Sequence, residues 1–228
     1  MKNLPKSTLG SRSLENIVKL LSILLVLFTG ALNAFAQRNV EKNIAEFLKS
    51  TLNAGDKLDV EATGDLNGDR LADWAGVISR KKAPPFVEDG METDRTVQLY
   101  ILLRQKQGGY VVAEKSKETG IFGLGGNFIE SLEIKRSSLY VHFKSNVRYG
   151  SFSQFRLYKG EWRLVGWRES NIPPEPEPII EKDRNLLTGA VIETRREENR
   201  KPLVRRYTKK FPRVLLKDFN LFGWNDIE

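Results

Sequence analysis

The sequence predicts a mainly β (α+β) fold, an antiparallel β meander with one short N-terminal helix, and three observations lead there. From Trp74 to Trp167, short runs rich in Val, Ile, Leu, Tyr and Phe are separated by Gly, Asn, Ser and Lys, the texture of strands and turns. Inside these runs the apolar residues alternate: Val97, Leu99, Ile101 and Leu103 fall on one face of an extended chain, with Gln98 and Arg104 on the other. The runs are joined by short turn sequences, and strands so joined are antiparallel. No internal repeat of about 20–50 residues accompanies the pattern, so a full propeller is not expected.

The first segment stands apart from that fold. Lys2, Lys6, Arg12 and Lys19 are set against Glu15, an apolar run follows from Leu20 through Phe28, and Ala34-Phe35-Ala36 supplies a small-x-small cleavage pattern. Together these mark a signal peptide over residues 1–36, with Gln37 opening the mature chain. A membrane anchor is the alternative, but the strongly apolar character lasts only about a dozen residues against the ~20 that span a bilayer. No later apolar stretch reaches that length, so the mature chain is expected to lack a transmembrane span and to be periplasmic or secreted.

Residues 37–170 are expected to form the β domain with its helix. Asn39 is placed to cap a helix in which Val40, Ile44, Phe47 and Leu48 make one apolar stripe. After the run from Thr96 to Arg104, a Gly108-Gly109 turn leads into Tyr110-Val111-Val112. Leu132 and Ile134 alternate with Glu133 and Lys135, and beyond a turn at Ser137-Ser138 the pattern resumes at Leu139, Val141 and Phe143. A second hairpin spans Ser151 to Glu169 and turns at Lys159-Gly160, where glycine tolerates a positive φ. Residues 171–180 hold four of the nine prolines and are expected to be a Pro-rich linker. Residues 181–228 follow as a basic C-terminal extension, in which Val191–Glu197 and Leu203–Lys210 pair as a hairpin around Glu198-Asn199, or Val191–Arg200 forms a helix. Near its end Phe219, Leu221, Phe222 and Trp224 need a hydrophobic place to dock.

Composition removes several classes of function. The 228 residues include no cysteine and one histidine, His142. Disulfide scaffolds, thiol catalysis, thiolate zinc sites and His-rich metal centres are therefore excluded. The formal net charge is +8, but four of the 37 basic residues and only one of the 29 acidic ones lie in residues 1–36, so the mature chain is moderately basic. From Arg195 to Lys217 there are ten basic residues against Glu197 and Glu198. Such a concentration meets anionic headgroups, envelope polymers or an acidic protein, or simply forms a solvated hairpin. Nucleic acid is not an expected partner of an exported chain.

The strongest chemical signal is Gly64-Asp65-Leu66-Asn67-Gly68-Asp69-Arg70-Leu71-Ala72-Asp73-Trp74. Counting from Asp65, side-chain oxygens stand at positions 1, 3, 5 and 9, with the Leu71 carbonyl at position 7. Alternating acidic residues in a tight loop aim several carboxylates at one centre, which suits calcium, a hard cation taking about six to eight oxygens. Position 12 is Gly76 and a strand follows, so an EF-hand does not fit. The alternative is a turn built by Asn and Asp side chains on their own backbone, without metal.

The segment resembles the calcium loop of FG-GAP and VCBS-type repeats, whose pattern is D-x-[DN]-x-D-G-x-x-D. More broadly, Asp65 to about Gly189 resembles uncharacterised secreted bacterial proteins that carry a single such loop, through Trp74-Ala75-Gly76-Val77-Ile78, Gly120-Ile121-Phe122-Gly123, Trp162-Arg163-Leu164-Val165-Gly166 and Asn185-Leu186-Leu187-Thr188-Gly189. The resemblance implies Asp65, Asn67, Asp69, Leu71 and Asp73 as calcium ligands and no known activity; an ion held there is expected to be structural, pinning the loop between two strands. Arg70 stands where the pattern has glycine, a departure that costs about 1 kcal/mol if the backbone there has a positive φ.

Other polar residues read more plainly. His142 between Val141 and Phe143 is a surface residue by strand alternation. Gly120, Gly123, Gly125 and Gly126 form a turn rather than a dinucleotide fingerprint, and Ser151 and Ser153 lack a nucleophile elbow. Glu88, Asp89, Glu92 and Asp94 read as a solvated acidic loop. The expected function is a secreted or periplasmic, non-enzymatic binding protein that meets an extracytoplasmic protein or an envelope polymer. The alternatives are a hydrolase of cell-envelope polymers working through the acidic loop, and an inhibitor or immunity-like protein covering an acidic partner.

Overall fold

In the computed structural model the described residues are 43–88, 91–121, 127–145, 149–174 and 177–221. The signal segment 1–36, Asn39 and Val40 lie outside them, as do Asp89, Phe222 and Trp224. Helix α1 covers Ile44–Thr51 and is capped by Asn43, whose side chain accepts the Glu46 N–H at 2.9 Å. The cap therefore sits four residues beyond the expected Asn39. Ile44, Phe47 and Leu48 still form its apolar stripe.

Two antiparallel sheets follow. The first joins β1 (Lys57–Gly64), β2 (Asp73–Glu88), β3 (Met91–Arg104) and β4 (Tyr110–Lys115) in that order, with the short β5 (Thr119–Gly120) pairing β3. The second runs in sequence order through β6 (Asn127–Lys135), β7 (Ser138–Ser145), β8 (Tyr149–Tyr158), β9 (Glu161–Asn171), β10 (Ile179–Asn185), β11 (Ala190–Arg196) and β12 (Leu203–Thr208). The protein is mainly β and meandering, and among the described residues neither sheet closes into a barrel or a propeller.

The turns explain the register. Lys159 (φ 52°) and Gly160 (φ 82°) both take left-handed conformations, as a two-residue turn matching strand twist requires. The β6–β7 turn uses Arg136 (φ 50°) and Ser137 (φ 53°), because Ser138 already pairs with Lys135. It therefore lies one residue before the expected Ser137-Ser138.

The main core lies between the sheets. Ala75, Val77, Val97, Leu99 and Ile101 from the first meet Leu139, Val141, Phe155, Leu164 and Trp167 from the second. A smaller cluster of Phe47, Trp74, Ile78, Tyr100 and Leu102 covers the opposite face of β2 and β3 under α1. Both faces of those two strands are buried, which is why Trp74–Ile78 and Tyr100–Leu102 read as unbroken apolar runs.

Three expectations are corrected. The acidic stretch after Pro84-Pro85 is no free loop: β2 and β3 form one long hairpin with Phe86 opposite Thr93 and Val87 opposite Glu92. Segment 171–180 does not separate two bodies, because it joins β9 to β10, which are neighbours in one sheet. Residues 181–208 accordingly continue that sheet, with β11 and β12 pairing as a hairpin instead of the alternative helix. Beyond them Leu215 bridges Arg163, a 3-10 turn spans Leu216–Asp218, and Leu216, Phe219 and Leu221 are buried in the main core. Among the described residues no helix is long and apolar enough to cross a membrane.

Candidate metal centre

The Asp65–Asp73 loop joins β1 to β2 and is held at both ends. Leu66 is buried in the main core and fixes the start of the loop. Asp73 is fully buried and opens β2. Its Oδ2 accepts the Leu66 N–H at 2.8 Å and its Oδ1 accepts the Arg104 N–H from the end of β3 at 2.9 Å. The hydroxyl of Tyr110 reaches the Ala72 carbonyl at 3.2 Å, so β4 also braces the loop.

Between these anchors the acidic side chains fold the backbone around themselves. Asp65 accepts the N–H groups of Gly68 (2.6 Å) and Arg70 (3.0 Å), and Asp69 accepts that of Leu71 (2.8 Å). Asn67 accepts the Asp69 N–H at 3.0 Å and donates its amide to Asp69 Oδ2 at 3.0 Å. The loop thereby satisfies N–H groups that no strand partner could reach. Gly68 (φ 84°) and Arg70 (φ 67°) are both left-handed. Arg70 thus adopts the conformation for which glycine is the unstrained residue.

The electrostatics of the loop are unbalanced. Burial pushes the Asp73 carboxyl above the ordinary range; the Arg104 and Leu66 N–H groups oppose this, and the charges of Asp69 and Asp65 add to it. Asp73 therefore senses the charges of Asp69 and Asp65, although no three acidic or imidazole groups among the described residues converge as a finished ligand set. In chemistry the donors suit a hard cation: the side-chain oxygens of Asp65, Asn67, Asp69 and Asp73 and the Leu71 carbonyl, with no nitrogen or sulfur among them. A carboxylate oxygen that accepts one N–H keeps a second lone pair for an ion.

Compared with known protein families, curated proteins and solved structures, the chain matches none of them. The site's chemistry rests on its own residues.

The remaining polar candidates are placed as follows. His142 lies on β7, partly exposed, with its Nε2 3.8 Å from Glu133 and its ring 5.8 Å from that of Phe152. Glu92 and Asp94 are exposed along one arm of the β2–β3 hairpin. Arg184 is a buried cation that composition did not single out: its guanidinium lies 4.4 Å from the Trp167 ring and donates to Glu169 at 2.7 Å. The braces from Arg104 and Tyr110 to the loop were equally hidden, since the Arg104 donor is a main-chain N–H and the Tyr110 hydroxyl arrives from a later strand.

Proposed function

We propose that the protein is a non-enzymatic binding module, periplasmic or secreted, whose Asp65–Asp73 loop takes calcium as a structural ion. The observation that carries this reading is Arg70 at φ 67° inside a turn closed by Asp65, Asn67, Asp69 and Asp73. The backbone takes at position 6 the conformation that calcium loops assign to glycine, despite the strain on arginine. The ion neutralises three neighbouring carboxylates and ties the end of β1 to the start of β2, without activating water.

The non-enzymatic part of the reading is supported by how the shifted carboxylates are used. Asp56 is paired with Arg80 at 3.1 Å, and Glu118 with Lys82 at 2.7 Å and the Thr96 hydroxyl at 2.7 Å. These are structural partners. The hydrolase alternative draws on carboxylates of which Glu92 and Asp94 lie along one arm of a hairpin.

Calcium titration of the purified protein by calorimetry, with a parallel melting curve, tests the proposal. Saturable binding with a raised Tm is expected, and no binding at millimolar calcium would remove it. Asp69→Ala, which also removes the acceptor of the Leu71 N–H, should lower Tm more in calcium than in chelator; equal losses in both would make the loop a plain turn.

A further inference from the structure

The second sheet ends at β12, and that edge has a distinct chemistry. Every residue from Leu203 to Thr208 is exposed. The Lys209 N–H donates to the Gly189 carbonyl at 2.8 Å, at the end of the β11–β12 ladder. Counting back in twos, Tyr207, Arg205 and Leu203 turn their main-chain groups toward β11, while Thr208, Arg206 and Val204 turn theirs to the open edge. Of seven exposed large apolar residues among the described ones, four lie on this hairpin: Ile192, Leu203, Val204 and Tyr207. Single exposed apolar residues are ordinary, but a cluster on one strand edge marks a contact surface.

Charge narrows the choice of partner. Arg195 and Arg200 are held by Glu197, and Arg196 by Glu181. Arg205 and Arg206, in the middle of β12, form no ion pair among the described residues, although Glu193 stands opposite Arg205 on β11. A second copy brought edge to edge about a two-fold axis here would set arginine against arginine. The edge therefore discriminates against itself and favours opposite charge.

We propose that β12 is a docking edge for an acidic, extended segment of a partner protein, which adds to the second sheet as an eighth strand. Two adjacent carboxylates lie beside Arg205 and Arg206, and apolar neighbours lie beside Leu203, Val204 and Tyr207. The main-chain ladder supplies binding that ignores side chains, and the charged and apolar positions supply selection. The proposal rests on the protein being a binding module but is independent of calcium, since the loop belongs to the other sheet.

The test uses the full chain and a synthetic peptide of about ten residues with two adjacent glutamates flanked by valine and tyrosine, titrated by calorimetry with and without calcium. The expected result is salt-sensitive binding in both conditions, with slowed hydrogen exchange at the Val204 and Arg206 amides. The combined Arg205→Glu and Arg206→Glu variant, altered only at exposed positions, should bind about tenfold more weakly and prefer a peptide with lysines in place of the glutamates. An N-methylated peptide of the same charge should not bind, because it cannot extend the ladder. Equal binding of the N-methylated peptide would reduce the edge to a charge sensor and overturn the proposal. So would failure of the parent peptide, binding to phosphatidylglycerol vesicles in its place, or a stable dimer whose β12 amides are protected beforehand. Peptide binding without calcium binding would sink only the loop reading; calcium binding without peptide binding would sink only this one.

Discussion

Asp73 and Arg104 are joined across the first sheet by a hydrogen bond of 2.9 Å from the Arg104 N–H to Asp73 Oδ1. The other carboxylate oxygen holds Leu66, so one buried side chain ties together the start of the loop, its end and the last residue of β3. The residue that opens β2 is thus a three-way clip whatever ion the loop carries.

Replacing that clip should be costly. Asp73→Ala leaves two N–H groups without acceptors, each costing about 1–3 kcal/mol, so stability should fall by about 2–5 kcal/mol in urea unfolding. Asp73→Asn keeps one acceptor oxygen and should lose less. A loss below about 0.5 kcal/mol for the alanine variant would show that the bonds are replaced by water.

Arg70→Gly should do the opposite. The left-handed backbone at φ 67° is strained for arginine, and its relief is worth about 1 kcal/mol. Melting in chelator reads that gain, and calcium titration should give tighter binding once the cation is gone. Weaker binding would mean that the arginine helps to organise the site.

Acid should weaken the fold through Asp56 and Glu118. Burial works to raise the Asp56 carboxyl, but the Asn53 and Lys81 N–H groups and the Arg80 charge outweigh it, and the net position is below the ordinary range. Glu118 is likewise lowered, with Lys82 and Thr96 outweighing burial. Both carboxyls bind protons less tightly when folded, so their stabilisation is present above the ordinary carboxylate range and is lost as pH falls through their folded pKa values. Asp73 has the opposite sign: its contribution is full below that range and fades as pH rises through its raised pKa. Urea midpoints measured from about pH 7 down to about pH 3 should fall, and Asp56→Asn should flatten the fall.

Gly64→Ala probes the contact between the sheets. A Cβ at Gly64 on β1 would stand 2.6 Å from Ile134 Cγ2 on β6, closer than packed carbons allow. A loss of about 1–3 kcal/mol is expected in urea unfolding. Combining it with Ile134→Ala, which removes Cγ2, should cost less than the sum of the two single losses if steric conflict is the cause.

Arg184→Met tests the buried cation. It removes the 2.7 Å bond to Glu169 and leaves that carboxylate with the Tyr149 hydroxyl at 3.3 Å and Lys182 at 4.0 Å. A loss of about 3 kcal/mol is expected in thermal unfolding, and Glu169→Gln in the same background should recover part of it.

The strands were legible where apolar residues alternate or turns are marked. Val97, Leu99 and Ile101 alternate toward the main core, although Tyr100 and Leu102 are buried on the other face, and Lys159-Gly160 announces its turn through glycine. Arg136 and Ser137 make the same kind of turn without a glycine or asparagine marker, which explains the one-residue offset there. The helix cap lies at Asn43 instead of Asn39: both asparagines precede Ile44, and the bond that marks the cap comes from a main-chain N–H, which has no signature in the sequence. The prolines of 171–180 suggested a domain boundary, yet a connection between two neighbouring strands needs no regular structure and accepts proline as readily as a linker does. At the candidate site the spacing identified the residues that shape the loop. It could not identify Arg104 or Tyr110, which come from later strands.

The segment from Leu215 to Leu221 crosses between the layers. Its 3-10 turn touches β4 and β9, the Phe219 ring lies edge-on to Phe155 at 5.1 Å, and the Leu221 N–H donates to the Thr119 hydroxyl at 3.4 Å. A ribosome delivers these residues after all twelve strands. During synthesis both sheets can already be hydrogen-bonded while the slot for Leu216 and Phe219 still holds water. Until this plug is inserted the chain presents apolar surface at that slot.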